Sequence, residues 1–348
     1  MNIYKKQEIA KIVIRILKSR FDSFPENEAI TRNAPFHKAF LEAFSQKFDA
    51  AGTNVDSILS MSSWMHGLNT TLGQIFFEET AQILCDGAKR SFLGSEYKIY
   101  SEQERIISEI MTDLKNGDKV PSMIDEDLII SENARGHLVN GPNFTADCCF
   151  EDESSFVAIE LKSVRPNSGE TRGEKQKILK AKAALRIMKP NKTIKYYFGF
   201  PFDPTSDSDT GFCKESFMNS MIEFSKFCDG REILLADELW SYLSGEENTM
   251  QELLCIIRDI ATIDFMEKLN IINNHENIIN NTKLYREIAK QWFLVDEVCI
   301  ANNIGNLIAS NRREIIKNVN NCPFDINGKY NLRRAKVLLD YIQNNDCD

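Results

Sequence analysis

The chain has 348 residues with a hydrophobic share of 43% and a charged share of 27%, which is the composition of a globular protein and excludes whole-chain disorder. With 42 Lys+Arg against 51 Asp+Glu the formal charge is −9, a balance that on its face argues against nucleic acid as a partner. The longest uninterrupted apolar run, Leu253 to Ile257, spans five residues, far short of the roughly 20 that a membrane helix needs, so no membrane partner is expected.

The first segment, with Lys5, Lys6, Lys11, Arg15, Lys18 and Arg20 flanking Ile9, Ile12, Val13 and Ile16, is a basic amphipathic helix. Such a helix can be an organellar presequence, but Glu8 and the scarcity of early Ser favour a first surface helix and a cytoplasmic protein. Helical spacing continues to about Lys115. Within it, Leu72 to Leu84 is nearly apolar apart from Glu78 and Glu79. A carboxylate on such a helix is costly unless it is paired or bound to a metal, or sits at the solvent edge.

After Pro121 the texture changes. Asp127–Ser131, Phe144–Phe150, Phe156–Val164 and Ile194–Phe200 are short, rich in aromatic and β-branched residues and bounded by turn formers, and are predicted as strands. Between the last two, Ile178, Ala181, Leu185 and Met188 form the apolar stripe of a helix over 173–188 that ends before Pro190. Beyond Pro204 the pattern is helical again, and the Asn-rich stretch 270–281 reads as a linker or irregular helix. The expected organisation is a helical region over 1–70, an α/β core with a small mixed sheet over 71–205, and a helical region over 206–348 in one unit with the core. The nine cysteines (85, 148, 149, 213, 228, 255, 299, 322, 347) include no C-x-x-C pair and read as reduced thiols, neither a zinc site nor a disulfide framework.

The chemistry lies between Thr145 and Val164. On a strand, Phe156, Ala158, Glu160 and Lys162 share one face and Val157, Ile159 and Leu161 the other. A hairpin turning symmetrically between Glu153 and Ser154 sets Asp147 opposite Glu160, where cross-strand Cβ atoms are about 4.5–5.5 Å apart. Two carboxylates so placed suit Mg²⁺, which takes hard oxygen ligands, and Lys162 beside them can position or deprotonate a water. This is the equipment of metal-assisted phosphodiester hydrolysis. The plain alternative is a surface hairpin whose Asp, Glu and Lys only solvate one face.

From Leu161 to Lys195 eleven basic residues stand against Glu170 and Glu174, a local charge of +9, so the remaining 313 residues total −18. A basic stripe beside a candidate metal site is what a phosphate backbone requires, and it predicts DNA affinity that falls steeply with salt. Lys180, Lys189 and Lys192 fit an ordinary solvated helix face equally well. Arg165, Arg172 and Lys175 do not, because they lie in or at the end of a Pro/Asn/Gly loop close to the carboxylates.

Asp147, followed after twelve residues by Glu160-Leu161-Lys162, resembles the PD-(D/E)XK nuclease signature, with Ala146 in place of its Pro. The longer string from Ala158 to Leu179, with Arg165-Pro166-Asn167 and Gly173-Glu174-Lys175, resembles the TdeIII-type group of type II restriction endonucleases. The resemblance implies a central mixed sheet flanked by helices and a homodimer that cuts double-stranded DNA with Mg²⁺ at a short palindrome, of GGNCC type, with a cognate DNA methyltransferase in the same system. It implies that Asp147 and Glu160 hold the metal, that Lys162 acts on the attacking water, and that Glu78 is the carboxylate of the first core helix. Arg165, Asn167, Arg172 and Lys175 are the expected DNA contacts, with Arg135 in a loop that can face the duplex. A repair or structure-selective nuclease, and a non-catalytic DNA-binding protein, are the competing readings.

Overall fold

The computed structural model describes residues 1–25, 35–162 and 168–345. The chain forms two compact units, one of Phe77–Leu253 with Met1, the other of Asn2–Phe76 and Leu254–Asp348.

The first unit is built on a five-stranded mixed sheet in the order β1-β4-β5-β6-β7. Its strands are β1 (Ala88–Phe92), β4 (Phe144–Glu151), β5 (Ser155–Leu161), β6 (Thr193–Phe200) and β7 (Ile233–Leu235), while β2 (Lys98–Tyr100) and β3 (Leu138–Asn140) form a separate pair. β4 runs antiparallel to β1 and β5, and β5–β6–β7 are parallel. The β5–β6 crossover is the helix Ser168–Met188, as a parallel connection requires. Its Ile178, Ala181 and Leu185 are buried.

Ser155 to Glu160 are all buried, so both faces of β5 are covered and the alternation expected of a half-exposed strand disappears. The surface-hairpin alternative is thereby excluded. On one side of the sheet Gly199 of β6 lets Ile159, Leu161 and Leu239 close over the backbone, since a Cβ there would stand 2.8 Å from Ile159 Cγ2 and from Leu161 Cδ2. Gly199→Ala should therefore destabilise the protein by about 1–3 kcal/mol through overpacking, measured by denaturant unfolding. A change below about 0.5 kcal/mol would show that the strand has room to shift.

The segment 127–131 is not a strand. It lies in the helix Met123–Glu132, where Ser122 caps the first turn by accepting the Asp125 N–H. That N-terminal cap and the acidic first turn of Asp125 and Glu126 outweigh the β-branched pair Ile129-Ile130. Strands β1 and β2 also interrupt the stretch expected to be wholly helical.

The second unit is helical. Its first helix, Ile3–Asp22, buries Ile9, Ile12, Val13 and Ile16. Phe265 stacks between Phe21 and Trp292, with centroid distances of 5.4 Å to each. The Asn-rich stretch is ordered as parts of two helices, Phe265–Asn273 and His275–Asn280. Among the described residues no helix is long and apolar enough to cross a membrane.

Candidate active site

The β4–β5 hairpin is fixed at its tip by Asp152, whose Oδ1 accepts the backbone N–H groups of Ser154 and Ser155, each at 2.7 Å. The register that follows pairs Cys148 with Ile159, Cys149 with Ala158 and Phe150 with Val157, the symmetric pairing about 153/154. One step further, Asp147 meets the end of β5, where its Oδ2 accepts the Leu161 N–H at 2.9 Å. Asp147, Glu160 and Lys162 thus gather at one end of two adjacent strands.

Glu160 is only 8% exposed. Its Oε1 lies 3.2 Å from the Nζ of both Lys162 and Lys177, while Oε2 is buried with no hydrogen-bond partner. Glu174 closes the arrangement by pairing with the same two lysines, at 3.1 Å to Lys162 and 2.5 Å to Lys177. Burial pushes the Glu160 carboxyl above its ordinary pKa and Asp147 adds to that, against the opposing pull of Lys177 and Lys162. For Lys162 burial works to lower the pKa, but Glu160 and Glu174 outweigh it and the net shift is upward, so the ammonium is held charged.

Glu78 opens the helix Glu78–Cys85, directly after a π-helical turn over Leu72–Phe77. This helix is tied to β4 by Gln82 Nε2, which donates to the Asp147 carbonyl at 3.0 Å. Lys89 of β1 links the two acids, with Nζ 2.7 Å from Glu78 Oε2 and 3.3 Å from Asp147 Oδ1. The hydrogen bond to Glu78 raises the Lys89 pKa, against the smaller effect of burial.

Among the described residues no group of three or more His, Cys, Asp or Glu side chains stands close enough to hold a metal ion. Lysines intervene instead, Lys89 between Glu78 and Asp147, and Lys162 with Lys177 between Glu160 and Glu174. The donor set nevertheless fits a divalent cation. Asp147 and Glu160 supply hard oxygens, and the orphaned Glu160 Oε2 is an acceptor whose burial costs about 1–3 kcal/mol until something binds it.

The candidate DNA contacts fare unevenly. Arg165 and Asn167 lie outside the described residues. Arg172 is exposed, and Arg135 is exposed in the loop before β3, its Nη2 3.3 Å from Asn133 Oδ1. Lys175 cannot be a DNA contact here. It is fully buried, and its Nζ lies 2.6 Å from Glu126 Oε2 and from Glu232 Oε1.

The basic stripe as a whole is largely compensated, through Lys180 with Glu104, Lys182 and Arg186 with Asp127, and Lys189 and Lys192 with Glu151. A local charge count could not see these acids, because other elements supply them. Three side chains at the site escaped the sequence reading. Glu174 and Lys177 carried a usable signal, an i,i+3 ion pair on the helix just after the signature. Lys89 carried none, since its strand read as helix.

A mixed sheet flanked by helices, with Asp147 on one strand, Glu160-Leu161 at the end of the next and Lys162 directly after it, defines a restriction-endonuclease-like nuclease core. The family model described as type II restriction endonuclease, HinfI, matches residues 1–261, and this chain belongs to that family. It is 44% identical over 360 residues to the type II restriction enzyme MjaII of Methanocaldococcus jannaschii, covering 96% of each chain. No solved structure matches it. The class expected from sequence, a type II restriction endonuclease, is therefore established. The protein is a site-specific deoxyribonuclease acting on double-stranded DNA, and enzymes of this class use divalent metal ions.

Proposed function

We propose that this endonuclease hydrolyses phosphodiester bonds with Mg²⁺ held by Asp147 and Glu160, with Glu78 as a further ligand, and that Lys162 acts on the attacking water. The observation that carries this reading is the buried Glu160 carboxylate at the end of a central strand, with one oxygen unpartnered and Asp147 beside it. A divalent cation in such a site polarises a phosphoryl oxygen and lowers the pKa of a bound water. Asp147 is oriented by the Leu161 N–H, which leaves Oδ1 for other partners. Lys162, held as an ammonium, donates to the water and orients it, and supports charge developing on the phosphoryl oxygens.

The target is a short palindromic duplex, with sites of GGNCC type the first to assay, read by a homodimer whose two-fold axis matches that of the site. Arg135 and Arg172, with Arg165 and Asn167, are the proposed DNA contacts. The enzyme works in the cytoplasm beside a cognate DNA methyltransferase that protects the same sites. Incubation with plasmid or phage DNA and MgCl₂ should yield discrete fragments whose sequenced ends share one short motif, and EDTA should stop the reaction. A smear, or ends without a common sequence, would count against this reading.

A further inference from the structure

The ion pairs of Lys89 have a local cause in the sheet. Ala88 pairs with Cys149 and Arg90 with Ala146, so the single residue Lys89 on β1 faces two residues, Asp147 and Cys148, on β4. A bulge at that place re-aims a side chain, and bulges recur beside active sites for that reason. Here it brings the Lys89 ammonium to Asp147 Oδ1 at 3.3 Å, while Oδ2 is engaged by the Leu161 N–H. The other partner is Glu78 Oε2 at 2.7 Å. The ammonium therefore takes up the Asp147 oxygen that Leu161 leaves available, between the two acids assigned above as ligands. A divalent cation bonded to Asp147 Oδ1 at about 2.0–2.1 Å would stand next to that ammonium, and like charges so close repel strongly.

We infer that Lys89 is an internal cation that occupies the Glu78–Asp147 side of the metal site and must leave it when the divalent ion binds. Lys89 is thus a positioning residue. It keeps two acids together in the metal-free enzyme and sets the metal concentration at which the site fills. Its side chain is 47% exposed, so it has solvent to move into and its replacement does not open the core. This inference rests on the metal reading of Asp147.

The test is calorimetric titration with Ca²⁺, as a probe that needs no turnover, of the full-length wild type and the variants Asp147→Asn, Lys89→Gln, Lys89→Arg and Arg90→Gln. Lys89→Gln should bind Ca²⁺ about tenfold more tightly than wild type, and Lys89→Arg about as wild type. Arg90→Gln, which removes the same charge one residue along β1, should change the constant less than about twofold. The difference between the two positions should persist at raised salt, where long-range effects are screened. If wild type binds Ca²⁺ and Asp147→Asn does not, the metal reading stands, and equal constants for wild type and Lys89→Gln, or equal gains at 89 and 90, would overturn the role of Lys89 alone. Absence of binding by wild type and by Lys89→Gln would overturn the metal reading and this inference together.

Discussion

Lys162→Ala should cut DNA about 10²–10³-fold more slowly than wild type in single-turnover assays, the range lost with one preorganised donor to developing charge, with little loss of stability. The separation of the two effects follows from the site. Lys162 contacts Glu160 and Glu174, but Lys177 contacts both as well, so removing Lys162 leaves neither carboxylate without a cation. The chemical role has no such substitute, because Lys162 follows directly on β5 while Lys177 comes from the crossover helix. Lys177→Ala should accordingly retain far more activity than Lys162→Ala at saturating Mg²⁺. If the two variants lost activity equally, Lys162 would be only one of two interchangeable counter-charges, and the assignment of the water to it would fail.

The parts of this site legible in the sequence are those set by short-range rules. The two-residue period places Glu160 with Lys162, and the polar tip Glu151 to Ser155 turns symmetrically, which together put Asp147 opposite Glu160. The sheet-forming segments β4, β5 and β6 were legible because hydrophobic density and bounding turn residues coincide there. What stayed hidden depends on partners distant in the chain. The stretch 127–131 is the exception, a local signal outweighed by another: its adjacent apolar residues suggest a strand, but the Ser122 cap and the acidic first turn of Asp125 and Glu126 make it a helix. The +9 segment looked like a DNA-binding face because Glu104, Glu126, Asp127, Glu151 and Glu232, which compensate it, are contributed from elsewhere in the chain. The steep salt dependence expected from that segment loses its basis to the same extent, since lysines already paired with acids neutralise few phosphates and so displace few of the DNA's counterions.

Lys175 carries the largest expected effect on stability. Its ammonium is buried between Glu126 of the helix Met123–Glu132 and Glu232 of the turn before β7, and it joins both to the crossover helix that bears Glu174 and Lys177. Both Glu232 oxygens accept from Nζ at 2.6 Å, whereas Glu126 Oε2 stands at the same distance as an ion pair without hydrogen-bond alignment. Burial already raises the Glu126 pKa and Glu232 adds to it, while Lys175 opposes them most strongly, helped by the Ser122 backbone N–H. Lys175→Met keeps most of the volume and removes the charge, leaving two buried carboxylates facing each other. The expected cost is about 3–5 kcal/mol of unfolding free energy near neutral pH. The sign of its pH dependence follows from the same groups. Glu126, already raised by burial, loses the cation that holds it down when Lys175 is removed, so its protonation favours the fold and the deficit should shrink as pH falls from 7 toward 5. Adding Glu126→Gln and Glu232→Gln to Lys175→Met should recover most of the stability by removing the unpaired charges. Denaturant unfolding at several pH values decides the matter: a loss under about 1 kcal/mol, or one that does not vary with pH, would mean the three charges do not depend on one another.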